Sequence, residues 1–150
     1  MSAIDLLKKD HQEVHQLFSE FMSAEDDDFA RREDLFQQID KALLAHSEAE
    51  EQILYPTMEQ YAPDLVKEAL SEHQAVKQAL LEMLDLEVDD EEFDRRMNKL
   101  MQDVQHHVEE EEGSGGILQI AGEKLNVQQL DEMGRQLQER KRDSEDELAA

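Results

Sequence analysis

No cysteine occurs anywhere in the 150 residues, which removes disulfides, thiolate metal sites and cysteine nucleophiles together. Proline appears only twice and glycine five times. Backbone breaks are therefore few, and the abundance of Ala, Leu, Glu, Gln and Lys favours helix throughout. Positive charge is scarce: 15 Lys and Arg against 39 Asp and Glu leave a formal charge of -24. Phosphate would be repelled over most of such a surface, which argues against nucleic acid and against anionic membranes. No apolar run approaches the length that spans a bilayer, and Asp5, Lys8 and Lys9 arrive too early for a signal peptide. A soluble, cytoplasmic protein is expected, with a salt-adapted cytoplasm one explanation of the acidity. Several catalytic signatures are also missing, including the His-Glu-x-x-His zinc motif, a phosphate loop and a Gly-x-Ser-x-Gly elbow.

What is present is helical periodicity. The length predicts a single domain spanning residues 1–150, large enough for a real core. A first helix is predicted from about Ser2 to about Glu25, capped by Ser2, with the inward stripe Leu7, His11, Val14, Phe18, Phe21. The acidic run after it is a solvated turn in which Asp28 can cap the second helix. That helix carries Phe36, Ile39, Leu43, His46, Glu50 and Ile53 at steps of three and four, and Pro56 is expected to kink it. Pro63 suits the first position of a third helix, whose stripe is Val66, Ala69, His73, Val76, Leu80, Met83. A fourth opens at the run 89–92 and buries Phe93, Met97, Leu100, Val104, His107 and Glu111 before the glycines from Gly113 end it. The expected architecture is all-α: an up-down-up-down four-helix bundle over about 2–113, a loop over 113–125 and a short C-terminal helix. That last helix is placed at about 127–142, capped by Asn126, with a charged tail fraying from Lys141.

The residues that do not belong in an apolar stripe are His11, His46, Glu50, His73, His107 and Glu111. His46 and Glu50 lie four apart and stack on one helix side, as do His107 and Glu111. The fourth helix also contains His106 four before Glu110, but that pair shares its face with Gln102, Asp103 and Glu109, a wet surface. Counting outward from the turns near Asp27, Ala62 and Asp89 brings the six to one level. His11 lies 16 residues before the first turn and His46 19 after it; His46 and His73 lie 16 before and 11 after the second. A buried carboxylate costs several kcal/mol, on the order of 3–5, unless a cation neutralises it. Imidazole beside carboxylate is a donor set that iron, zinc or manganese accepts. A metal centre is the reading that explains four histidines and two glutamates at one depth.

The order His11, His46-x-x-x-Glu50, His73, His107-x-x-x-Glu111 resembles the hemerythrin-like HHE cation-binding domain. The surrounding wording is similar too: Asp10-His11, Glu51 ahead of Ile53-Leu54-Tyr55-Pro56, Glu72-His73, and His106-His107 before an acidic run. The resemblance covers roughly Ile4 to Glu112 and is expected to include the final helix. It implies a non-heme di-iron cofactor, with Glu50 and Glu111 bridging two irons and the four histidines as terminal ligands. Oxygen-carrying members place a second histidine four after the third-helix one, where this chain has Lys77. They supply a longer-spaced aspartate where this chain has Glu111, and a second aromatic-proline segment is replaced here by Gly113 to Ile117. The expectation is a loosened helix end beside Glu111. Ferritin-like di-iron proteins need Glu-x-x-His motifs, which this chain lacks.

Two functions follow from that resemblance. One is a metal protein that binds or reacts with oxygen, peroxide or nitric oxide, or holds iron. The other is a regulatory iron- or oxygen-sensing module read by a protein partner. No appended output domain is seen, which favours the first. His15 falls beside the stripe and reads as a surface histidine, and Tyr55 reads as packing at the kink with its hydroxyl satisfied.

Overall fold

The computed structural model describes residues 1–149. Helix α1 spans Ala3–Ser23 and starts where the Ser2 hydroxyl accepts the Asp5 amide. Helix α2 spans Phe29–Ala49, and the Asp28 carboxylate accepts the Arg31 amide at its start. It runs directly into a π-helical turn at Glu50–Leu54 and then a single α turn, α3, at Tyr55–Met58. Helix α4 spans Pro63–Leu84 with proline in its first turn, and α5 spans Glu91–Glu112, ended by Gly113. Two further helices follow, α6 at Ile117–Lys124 and α7 at Val127–Ala149.

Helices α1, α2, α4 and α5 form the four-helix bundle, with α6 against α5 and α1, and α7 laid along α1 and α2. The bundle's apolar interior is in two halves. One half packs Phe18, Phe21, Leu35, Ile39, Met83, Phe93 and Leu100. Phe93 is fully buried there, with the Phe36 ring 5.1 Å away edge-on, and truncating it would cost about 3–5 kcal/mol. The other half packs Leu7, Leu54, Met58, Val66, Ile117, Leu118 and Leu137. Between them, on all four bundle helices, lies a layer of buried polar side chains.

Three expectations need correcting. Residues 117–124 are not loop but a helix whose Ile117, Leu118 and Ala121 are buried. The last helix does not fray from Lys141; it continues to Ala149 because Arg140 and Ser144 both reach Glu48, and Lys141 pairs with Asp10. The second helix is not simply kinked at Pro56. The break falls one turn earlier, in the π turn, where the Tyr55 amide reaches back five residues to the Glu50 carbonyl. One residue of phase is gained, so Leu54 is buried and Ile53 only half-buried.

Candidate metal centre

All six residues singled out by the sequence are buried and converge on the polar layer. Two groups of donor atoms result, one from His11, His46, Glu50 and Glu111, the other from Glu50, His73 and His107. Glu50 belongs to both. Its Oε1 lies 3.0 Å from Nε2 of His46 and 3.2 Å from Nε2 of His73. Glu111 spans the same gap from the opposite side, with Oε1 3.5 Å from His11 Nε2 and Oε2 3.1 Å from His107 Nε2. Four helices thus present two carboxylates and four imidazoles to one volume.

Each imidazole is oriented by a carboxylate on the next helix. Asp10 on α1 takes Nδ1 of His46 at 2.9 Å, and Glu51 takes Nδ1 of His73 at 3.0 Å. Glu72 on α4 takes Nδ1 of His107 at 2.7 Å, and Glu112 on α5 closes the circuit on Nδ1 of His11 at 2.6 Å. An ionised carboxylate only accepts, so every Nδ1 carries a proton outward. In the neutral ring every Nε2 then offers a lone pair inward. Two of these lone pairs face each other, His73 and His107 Nε2 being 3.3 Å apart. A cation, or a proton between them, removes that repulsion.

The π turn supplies a seventh participant. In an α-helix Tyr55, five after Glu50, would point well away from it; the wider turn puts both on one side. Tyr55 Oη lies 3.2 Å from Glu50 Oε1, 3.2 Å from His73 Nε2 and 3.0 Å from Glu111 Oε2. Its hydroxyl is therefore satisfied, as the sequence reading has it, but by the polar centre itself. Burial and the two carboxylates push the phenol far above its usual range, so it stays protonated.

Protons and charge in the layer are strongly coupled. Burial pulls the His46 imidazole down, yet the Glu50 charge and the Asp10 bond outweigh it and hold the ring well above the usual value. Burial works against His107 too, but Glu111, Glu50 and Glu72 raise it to about 9. For Glu50, burial pushes up and the His46 charge prevails, leaving the carboxyl well below its ordinary range. Even so, Nε2 of His11 and His46, Oε2 of Glu50 and Oε1 of Glu111 make no well-aligned hydrogen bond among the described residues, close as the two rings lie to the carboxylates. Buried polar atoms are rarely left so. Four of them around one point, all good ligand atoms for a hard or borderline divalent ion, fit a metal.

The chain turns back closely against the helix end beside Glu111. A Cβ on Gly116 would come within 2.2 Å of the Glu110 carbonyl oxygen and 2.7 Å of that of Glu111. Only glycine allows the chain to fold back this closely, and it does so to bury Ile117 and Leu118 beneath the centre. His15 is exposed, His106 is exposed, and Lys77 is half-buried outside both donor groups. Sequence reasoning missed the role of Asp10, Glu51, Glu72 and Glu112. The signal was there: each is the immediate neighbour of a proposed ligand.

Comparison with known proteins agrees with this geometry. The sequence model of the hemerythrin HHE cation binding domain matches residues 2–114. An uncharacterized hemerythrin-like protein of Schizosaccharomyces pombe is 32% identical over 112 residues, covering 72% of this chain and 54% of that protein. A protein named DNA nickase from Nostoc is 32% identical over 115 residues, 76% of this chain but 32% of the relative. The chain thus spans about a third and about half of the lengths of these two curated relatives. The crystal structure of a hemerythrin HHE cation binding domain-containing protein from Mycobacterium kansasii has the same fold. It superposes with a TM-score of 0.82 at 22% identity, over 96% of this chain and 87% of that one. The chain belongs to the hemerythrin HHE cation binding domain family.

Proposed function

We propose that this protein holds two irons in the polar layer and uses them to bind or react with oxygen, peroxide or nitric oxide. The observation that carries the reading is the paired donor group sharing Glu50, with ligand atoms on His11, His46, Glu50 and Glu111 that make no well-aligned hydrogen bond. His11 and His46 would hold one metal and His73 and His107 the other, with Glu50 and Glu111 shared between them. Iron in that donor set supplies one-electron redox chemistry and open positions for a small ligand. The chain's own contribution is orientation, through the four outer carboxylates, and a hydroxyl proton held at Tyr55 Oη between Glu50 and Glu111. Lys77 stands where oxygen carriers place a further histidine, which favours reaction over reversible transport.

The resemblance to a DNA nickase extends over a minor part of that protein. A net charge of -24 opposes phosphate binding, so nucleic acid is not proposed as a partner. No helix among the described residues is long and apolar enough to cross a membrane, and a cytoplasmic location is proposed with the function. The test is addition of hydrogen peroxide, oxygen or nitric oxide to the anaerobically iron-loaded protein, followed by absorption and by peroxide consumption. Spectral change with one of them supports the proposal. Indifference to all three contradicts it, and spectral change without turnover favours the sensing module.

A further inference from the structure

The second His-x-x-x-Glu pair of α5, His106 and Glu110, takes no part in the buried centre. Its two side chains nonetheless meet, Nε2 of His106 lying 2.8 Å from Oε1 of Glu110. Glu72 on α4 completes a three-donor group with them, all ligand atoms falling within 4.8 Å of one another. Glu72 is the carboxylate that orients His107, so this exposed group and the buried one share a residue. With one oxygen on His107 Nδ1, Glu72 has its second for another partner.

A small cavity of about 30 Å³ lies at the same place, lined by Glu68, Glu72, His107, Glu110, Glu111 and Ile117 among others. It holds about one water and reaches from the exposed group to two residues of the centre. No lysine or arginine lines it. Two larger cavities also touch the centre: one of about 320 Å³ beside His46, lined by Lys41 and Lys141 as well as Asp10, Glu13 and Glu145, and one of about 750 Å³ beside His11, lined by Glu109 and Glu112 without lysine or arginine. A dication approaching beside His46 meets two ammonium groups among three carboxylates, and beside His11 two carboxylates in a wide opening; beside Glu72 it meets four carboxylates and an imidazole at one narrow point. The narrow cavity also admits no hydrated ion, so an ion passing that way must first exchange waters for protein donors.

We infer that Glu72, His106 and Glu110 form a surface site for a divalent cation, from which the buried centre is loaded. This rests on the reading of the buried layer as a metal centre. It is a binding and ligand-exchange step, with no change of oxidation state. The prediction separates rate from capacity: the surface site controls how fast metal enters, while the buried ligands control how much is held.

The test is anaerobic uptake of Co(II) by the full metal-free chain, followed by its absorption, in the wild type, in a His106→Ala/Glu110→Gln variant and in Glu109→Gln. The last removes a charge from the same helix but leaves the surface group intact. The double variant is expected to reach the same final loading with an initial rate about tenfold lower, the low end of what local charge and ligand concentration contribute to association. Glu109→Gln should load at the wild-type rate. In protein whose centre is already filled, a further weak Mn(II) site, read by electron paramagnetic resonance, should be present in the wild type and absent from the double variant. An unchanged rate, equal slowing by Glu109→Gln, or Mn(II) binding that survives in the double variant overturns the inference and leaves the buried centre standing. Failure of the wild type to take up any metal overturns both.

Discussion

Tyr55 reaches Glu111 across the bundle, its hydroxyl 3.0 Å from Oε2, although in sequence the two are separated by an entire helical hairpin. The contact exists because the π turn at Glu50–Leu54 swings residue 55 onto the face of residue 50. Replacing Tyr55 by Phe leaves the packing and removes a hydroxyl that touches both carboxylates. In metal-free protein the loss is expected to be about 1–3 kcal/mol, the cost of an unsatisfied buried acceptor. In iron-loaded protein, where metal satisfies the same oxygens, the loss should be smaller. Denaturant unfolding of both forms measures this; equal losses would mean that Tyr55 acts only through packing.

The outer carboxylates orient the rings, so their removal should weaken metal binding without removing a ligand. Asp10→Asn is expected to lower metal affinity about 10- to 100-fold. Asp10 also pairs with Lys141 on α7, and its carboxyl, though burial raises it, is held below the usual range by His46 and Lys141. Competition against a chelator reads the affinity, and wild-type behaviour of the variant would show that ring orientation comes from packing alone.

Helix phase separates two adjacent histidines. His107→Ala should abolish half or more of the metal loading, whereas His106→Ala should leave the final content nearly intact, whatever it does to the rate. Metal analysis after equilibrium loading decides this. Equal losses in both would place the wrong face of α5 inward.

Metal-free protein holds protons where metal must go. His107 is raised to about 9, against about 6.5 for an unperturbed imidazole. A raised folded value means that this group's stabilisation is full below about 6.5 and fades as pH rises through 9. Metal competes with those same protons, so binding at pH 7 should release protons and affinity should climb with pH toward 9. Calorimetry in buffers of different ionisation enthalpy checks the release. Binding without proton release at pH 7 would contradict the assignment.

The tight return of the chain under Glu111 gives a steric prediction. Gly116→Ala places a methyl against the Glu110 and Glu111 carbonyls and is expected to destabilise by about 1–3 kcal/mol. Hydrogen exchange over 109–112 should rise with it. Unchanged exchange would show that the helix end is held by something other than this turn.

The stripes of the four bundle helices were legible because 3.6-residue periodicity held from Leu7 to Phe21, Val66 to Met83 and Phe93 to Glu111. The six intruders stood out against it for the same reason. Tyr55 did not, because a π turn breaks the period that reveals it. The ends of α6 and α7 were hidden for a different reason. Ile117 and Leu118 form too short an apolar run to announce a helix, and α7 continues past Lys141 through contacts with Asp10 and Glu48 that lie far away in sequence. The orienting carboxylates were lost in a chain with 39 acidic residues, where an acid beside a histidine carries little information by itself.

The central claim is that the polar layer is a two-iron site. The most direct test is the iron-to-protein ratio of wild-type chain reconstituted anaerobically with excess ferrous iron and freed of loosely held metal. The account predicts two irons per chain, carried by the buried layer. One zinc per chain with no iron, or no retained metal at all, would contradict it.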